Sequence, residues 1–168
     1  MSLSMFTASV PVYTQFLTSL SNVLKKSAAH AEAKKIDPSV LINGRIAPDM
    51  LPLSAQVQIA TDHVKGSLSR LAGVEAPKFE DTEKTFDELQ ARIQKTLDYV
   101  KTFKPAQIDG TEGKEIVLTF GTQKFPFNGQ TYLIQFALPN FYFHTTTAYA
   151  ILRHNGVEIG KRDFMGGV

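Results

Sequence analysis

Apolar residues between positions 7 and 35 fall at Val10, Tyr13, Leu17, Leu20, Leu24, Ala28 and Ala31. Steps of three and four put them on one stripe of a long amphipathic helix. Pro11 sits in its first turn, where a missing N–H costs nothing. Pro38 ends it, because a residue preceding proline is pushed out of the helical region. A second stripe (Val57, Ala60, Val64, Leu68, Leu71) predicts a helix over residues 54–71, stopped by Gly73. A third (Phe86, Leu89, Ile93, Leu97, Val100) predicts one over residues 82–103, with Thr85 and Glu88 at capping-box spacing. Residues 37–52 hold four prolines and glycines together with Val40, Leu41, Ile46, Met50 and Leu51. That mixture predicts a packed connection folded over the helices, not a loose linker.

After Asp109-Gly110 the period changes from helical to alternating. Residues 115–120 (Glu115-Ile116-Val117-Leu118-Thr119-Phe120) read as a strand, and residues 131–136 (Thr131-Tyr132-Leu133-Ile134-Gln135-Phe136) as its partner. Asn128-Gly129 between them is a tight-turn signal. Two strands alone are marginal in water, so the hairpin is expected to lie against the helices. A fourth helix is expected from about Pro139 to His154, closed by Asn155-Gly156. The fold class predicted is mainly α, a single domain over residues 1–168. It is an up-and-down four-helix bundle with a small β-hairpin inserted before the last long helix.

Composition narrows the function classes. Cysteine is absent, which excludes disulfides, thiolate nucleophiles and Cys-type metal sites. The formal net charge is +2 and the lysines come as scattered pairs, so a nucleic-acid partner is not expected. The segment beginning Met1-Ser2-Leu3-Ser4-Met5 lacks a signal-peptide pattern, and no apolar run approaches the ~20 residues that span a bilayer. A cytoplasmic protein without a membrane partner is expected.

Two histidines carry the candidate chemistry. His144 follows Phe141 and precedes Ala148 and Ile151 at helical steps, so it shares the apolar stripe of the fourth helix. His63 lies beside Val64 on the second helix. Turned inward, the two imidazoles would meet inside the package, where bundle metal sites are built from facing helices. A core histidine bonded to a carbonyl or to a hydroxyl such as that of Tyr13 is the plainer alternative. A transition-metal site commonly needs three protein ligands. One turn to either side of His144 stand Asn140 and Ala148, neither a strong ligand. His30 reads as solvated and His154 as a cation near a helix C-terminus. Thr145-Thr146-Thr147 has no partnered base, and the glycines from Gly156 to Gly167 match no phosphate loop. Most of the aromatics Phe120, Phe125, Phe127, Phe136, Phe141, Tyr142 and Phe143 are expected in the core, with some lining a pocket or a dimer surface.

The segments Pro48-Asp49-Met50-Leu51-Pro52-Leu53, Gln56 through His63 and Thr85-Phe86-Asp87-Glu88-Leu89 carry a family likeness. So do Phe143-His144 and Leu152-Arg153-His154-Asn155-Gly156-Val157-Glu158-Ile159-Gly160-Lys161-Arg162-Asp163-Phe164. On these the chain resembles the DinB-like (YfiT-like) four-helix bundles, in the branch described only as a domain of unknown function. The resemblance implies a bundle that often dimerises. It implies a divalent metal (nickel, zinc or iron) held by one histidine on the second helix and two, one turn apart, on the last. In some members it implies transfer or isomerisation of low-molecular-weight thiols. Carried over, His63 matches the second-helix ligand and His144 the first of the last-helix pair. Ala148 stands at the remaining position. The expectations are therefore a His63/His144 site beneath residues 37–52, a metal-dependent thiol enzyme, or a non-enzymatic homodimeric binding module with a small-molecule ligand.

Overall fold

The computed structural model describes residues 3–167. The reading of Met1 and Ser2 lies outside them. In chain order the elements are α1 (Val10–Lys34), α2 (Pro38–Ile42), α3 (Leu53–Ala72), α4 (Phe86–Val100) and α5 (Pro105–Ile108). The hairpin strands β1 (Glu115–Phe120) and β2 (Gln123–Asn128) follow. Last come α6 (Gly129–Thr131), a π-helical segment (Tyr132–Ala137), α7 (Leu138–His154) and α8 (Lys161–Met165). The protein is mainly helical with one small antiparallel hairpin. No described helix is long and apolar enough to cross a membrane.

The apolar stripes become the core. Tyr13, Leu17, Leu24, Val57, Val64, Leu68, Leu89, Ile93, Phe141, Ala148 and Ile151 are buried together in one cluster. α3 packs most extensively on α7, then on α4, while α1 packs on α4. The capping box at α4 forms as its spacing predicts: Glu88 N–H donates to Thr85 Oγ1, and Glu88 Oε2 accepts from Thr85 N–H. Residues 37–52 contain the short helix α2, and Leu53 N–H closes them by donating to Gly44 O.

The hairpin differs from expectation in its second strand. β1 pairs with Gln123–Asn128 in the register Glu115↔Asn128 to Phe120↔Gln123, and residues 131–136 are helical. The tight turn sits at Gly121-Thr122, where Gly121 takes φ 59°. Asn128-Gly129 is a helix start. Asn128 Oδ1 accepts from Thr131 N–H, and Thr131 Oγ1 accepts from Asn128 N–H, at 2.8 and 3.2 Å. A Cβ at Gly129 would overlap the Thr111 carbonyl, so close backbone approach requires the glycine.

The last helical run therefore begins about ten residues before the expected Pro139. Its passage through that proline has a visible device. Leu138 N–H donates to Leu133 O, one residue further back than in an α-helix. Asn140 Nδ2 donates to Phe136 O at 2.7 Å. A wider turn and a borrowed side-chain donor offset what proline removes from the ladder.

Inward-facing Ile116 and Leu118 seat the hairpin, while Phe120 and Phe125 are 55% and 41% exposed. They are surface groups, contrary to the expectation that most of this cluster is core. Lys114 Nζ donates to Leu71 O at 2.8 Å, tying the hairpin base to the end of α3. The result is a lid of β-structure over one side of α3.

Candidate functional site

α3 and α7 bring His63 and His144 together. Their ring centroids lie 5.7 Å apart with planes inclined by 20°. Both rings are half-buried at the edge of the apolar interface, not sealed inside it. They belong to a longer aromatic row. Phe120 lies 6.2 Å from Phe136, Phe136 lies 5.9 Å from His63, and Phe143 lies 5.2 Å from His144.

His144 is held by a residue the sequence reading passed over. Its Nδ1 lies 2.8 Å from Gln56 Oε1, and Gln56 Nε2 donates to Leu51 O at 3.0 Å. The Leu51 carbonyl can only accept, so it fixes which way the Gln56 amide points. Oε1 must then accept, and His144 must carry its proton on Nδ1. Nε2 is left with the lone pair. The connection over residues 37–52 thus sets the tautomer of His144 through Gln56. Gln56 is buried inside an otherwise apolar stripe, which is the signal that could have found it.

His63 has no hydrogen-bond partner among the described residues. Burial pushes its pKa down to about 4, with the neighbouring His144 and Arg70 acting in the same direction and Asp62 opposing them. Burial also holds His144 below the ordinary imidazole range. Both rings are therefore uncharged at neutral pH.

Beside His63 opens a cleft of about 470 Å³ between α3 and β1. Ile59, His63 and Arg70 form its helical wall, Val117 and Phe120 the strand wall, and Phe136 contributes from the π-helical segment. The volume falls within the ~300–1,000 Å³ of small-molecule sites. The expected cover is split: residues 37–52 reach His144 through Gln56, whereas β1 faces His63 across the cleft.

The donor set does not fit the three-ligand metal site that the family likeness implies. Ala148, one turn after His144, is buried and offers no donor. Among the described residues no group of three His, Asp or Glu side chains could hold an ion. His30 is half-buried on α1 and His154 exposed at the end of α7, and neither joins the pair. Tyr13 donates no bond to His144; its hydroxyl lies 2.9 Å from Ser67 Oγ. Thr145 and Thr147 bond to Phe141 O and Phe143 O of their own helix, which leaves no activated hydroxyl.

A second polar assembly went unread. Arg92 of α4, 3% exposed, donates to Thr61 Oγ1, Asp62, Glu83 and the carbonyls of Glu80 and Gln58. Its guanidinium also meets Asp81 at 3.0 Å. It ties the irregular connection over residues 74–85 to α3 and occupies the Asp62 carboxylate. No local pattern marks a single arginine as the centre of such a network.

The comparisons agree with this architecture. The family described as "Domain of unknown function (DUF1993)" matches residues 5–165. The chain is also similar to a solved structure, the crystal structure of a DinB family member protein from Shewanella denitrificans. Identity is 40%, over 97% of this chain and 92% of that one, with a TM-score of 0.89. No curated protein sequence matches the chain. Capped helices, hairpin lid and histidine pair are thus those of a member of the DUF1993 family, a branch of unknown function in the DinB-like superfamily.

Proposed function

We propose that this protein binds a small organic molecule in the cleft beside His63 and His144. The two uncharged imidazoles act as hydrogen-bonding recognition groups and hold no resident metal. The observation that carries this reading is His63 itself: unprotonated, without a protein partner, and facing a cleft of ligand size. A buried-edge imidazole with free nitrogens is completed by a ligand or by water. Its depressed pKa makes it a weak base, far from the near-neutral value that suits general base catalysis. Recognition therefore fits it better than proton abstraction, and the thiol-transfer chemistry of metal-bearing relatives is not assigned to it. The same reading takes the four long helices α1, α3, α4 and α7 as an up-and-down bundle, with the cleft on its flank.

The test combines metal analysis with ligand mapping. Protein purified without an affinity tag is expected to carry well under one equivalent of nickel, zinc or iron. In a fragment screen followed by NMR, ligands are expected to shift His63 and Phe136 together and to lose that effect in His63→Gln. Near-stoichiometric metal that disappears in His144→Ala would overturn the reading.

A second reading rests on the aromatic row, whose ends Phe120 and Phe143 are each 55% exposed. Exposed aromatics of that size mark contact surfaces, and the partner they suit is a second copy of this chain. Sedimentation at micromolar protein tests it. A dimer weakened by Phe143→Ser supports self-association, and a monomer removes it.

A further inference from the structure

Arg70 supplies what the histidine pair lacks, a fixed positive charge at the edge of the same cleft. Ile59, His63, Gly66 and Arg70 follow at steps of four, three and four along α3, so they share one helical face. Gly66 is the odd member. A glycine in a helix interior weakens the helix relative to alanine. An added Cβ at position 66 would meet only the Arg70 side chain, with Nη1 at 2.7 Å. The Arg70 guanidinium folds back one turn and occupies the space that any other residue at 66 would fill.

Tyr132 holds it there. Arg70 Nη1 donates to Tyr132 Oη at 3.1 Å, and the guanidinium lies 6.0 Å from the Tyr132 ring. Among the described residues no carboxylate comes within 4.0 Å of it. The cleft's own carboxylate, Asp62, is occupied by Arg92 at 2.8 Å and Lys65 at 3.1 Å. Arg92 is paired several times over, whereas Arg70 keeps most of its donors free. Opposite stand the apolar side chains of Val117, Phe120 and Phe136.

We propose that the cleft takes an amphipathic organic anion, its carboxylate on Arg70 and its apolar body against Phe120 and Phe136. The inference rests on the small-molecule reading of the His63 cleft and adds the chemical class. A guanidinium presents parallel N–H donors that match a carboxylate in two-point contact. Phe120 and Phe136 offer ring faces and edges to an aromatic or alkyl body. His63, one and two turns before Gly66 and Arg70, completes the polar end with a neutral nitrogen.

The probes are 4-phenylbutyrate and its neutral counterpart 4-phenylbutan-1-ol, titrated into the full chain by NMR. Phenylbutyrate is expected to bind at least about tenfold more tightly than the alcohol, the order expected for a charge-assisted hydrogen bond. It is expected to shift the His63 ring and the Phe136 signals. Arg70→Gln is expected to erase the preference. Gly66→Ala guards against an unfolded variant, because alanine favours the helix while its Cβ displaces the guanidinium. That variant is expected to melt at the same temperature or higher and to lose the preference as well. Equal binding of acid and alcohol at His63 would overturn the anion assignment while the small-molecule reading stands. Phenylbutyrate preference that survives both Arg70→Gln and Gly66→Ala would also overturn it. If neither probe moves His63, the anion assignment fails, and the small-molecule reading is then judged by the fragment screen alone.

Discussion

Lowering the pH from 7 to 5 gives a measurable signature of the His63 environment. The unfolded chain takes up a proton on this ring near the ordinary pKa of 6.5, whereas the folded ring resists protonation until about 4. Protonation therefore favours the unfolded state throughout that window. The stability that depends on a neutral His63 is complete above pH 6.5, declines as the pH falls, and is spent near pH 4. The full separation corresponds to about 3 kcal/mol, of which about 2 kcal/mol falls between pH 7 and 5. Partial exposure of the ring reduces the expected loss to about 1–2 kcal/mol. The assay is urea unfolding of wild type and His63→Gln at both pH values. Glutamine keeps the polarity and does not titrate, and the carboxylates common to both proteins cancel in the comparison. At an m-value of about 2 kcal/mol/M, the wild-type midpoint should fall by ~0.5–1 M more than that of the variant. Equal falls in the two proteins would refute the argument, because a ring that is already solvated carries no such penalty.

Other substitutions probe the surrounding supports. Arg92→Ala should cost about 3–4 kcal/mol by leaving Glu83 and the neighbouring carbonyls without their partner, and hydrogen exchange should rise across residues 74–85; a loss under 1 kcal/mol would contradict the network. Gln56→Ala should cost about 1–3 kcal/mol, since a buried amide leaves both Leu51 O and His144 Nδ1 unpaired, as read by thermal unfolding. Gly66→Ala should stabilise by up to about 1 kcal/mol, because only the mobile end of Arg70 stands in its way; destabilisation would show that the guanidinium cannot move aside.

The helices were legible because their evidence is local. The stripe from Val10 to Ala31 and the Thr85/Glu88 box depend on residues within a turn or two, and both appear where the spacing puts them. The second strand failed for a physical reason that is also specific. Tyr132-Leu133-Ile134-Gln135-Phe136 satisfies an alternating period and a helical one, and a tertiary contact decides between them. The Thr111 carbonyl needs the bare backbone of Gly129, and Asn128 then caps a helix. His144 was legible as a member of an apolar stripe and His63 as a neighbour of one, and the chain brings their rings within 5.7 Å. Their surroundings were not legible. Arg70, Gln56 and the walls of the cleft acquire meaning only from where β1 and residues 37–52 come to lie. Gly66 was the one local hint, a glycine placed in mid-helix without a turn to make.

The central claim is that two neutral, metal-free imidazoles stack together, His63 of the pair lining a ligand cleft, and histidine side-chain NMR tests it most directly. On ¹⁵N-labelled protein at neutral pH, His63 and His144 should both show one protonated and one bare nitrogen. In His144 the proton should be on Nδ1, and neither spectrum should change on adding a chelator. Doubly protonated rings at that pH, or signals that a chelator alters, would contradict it.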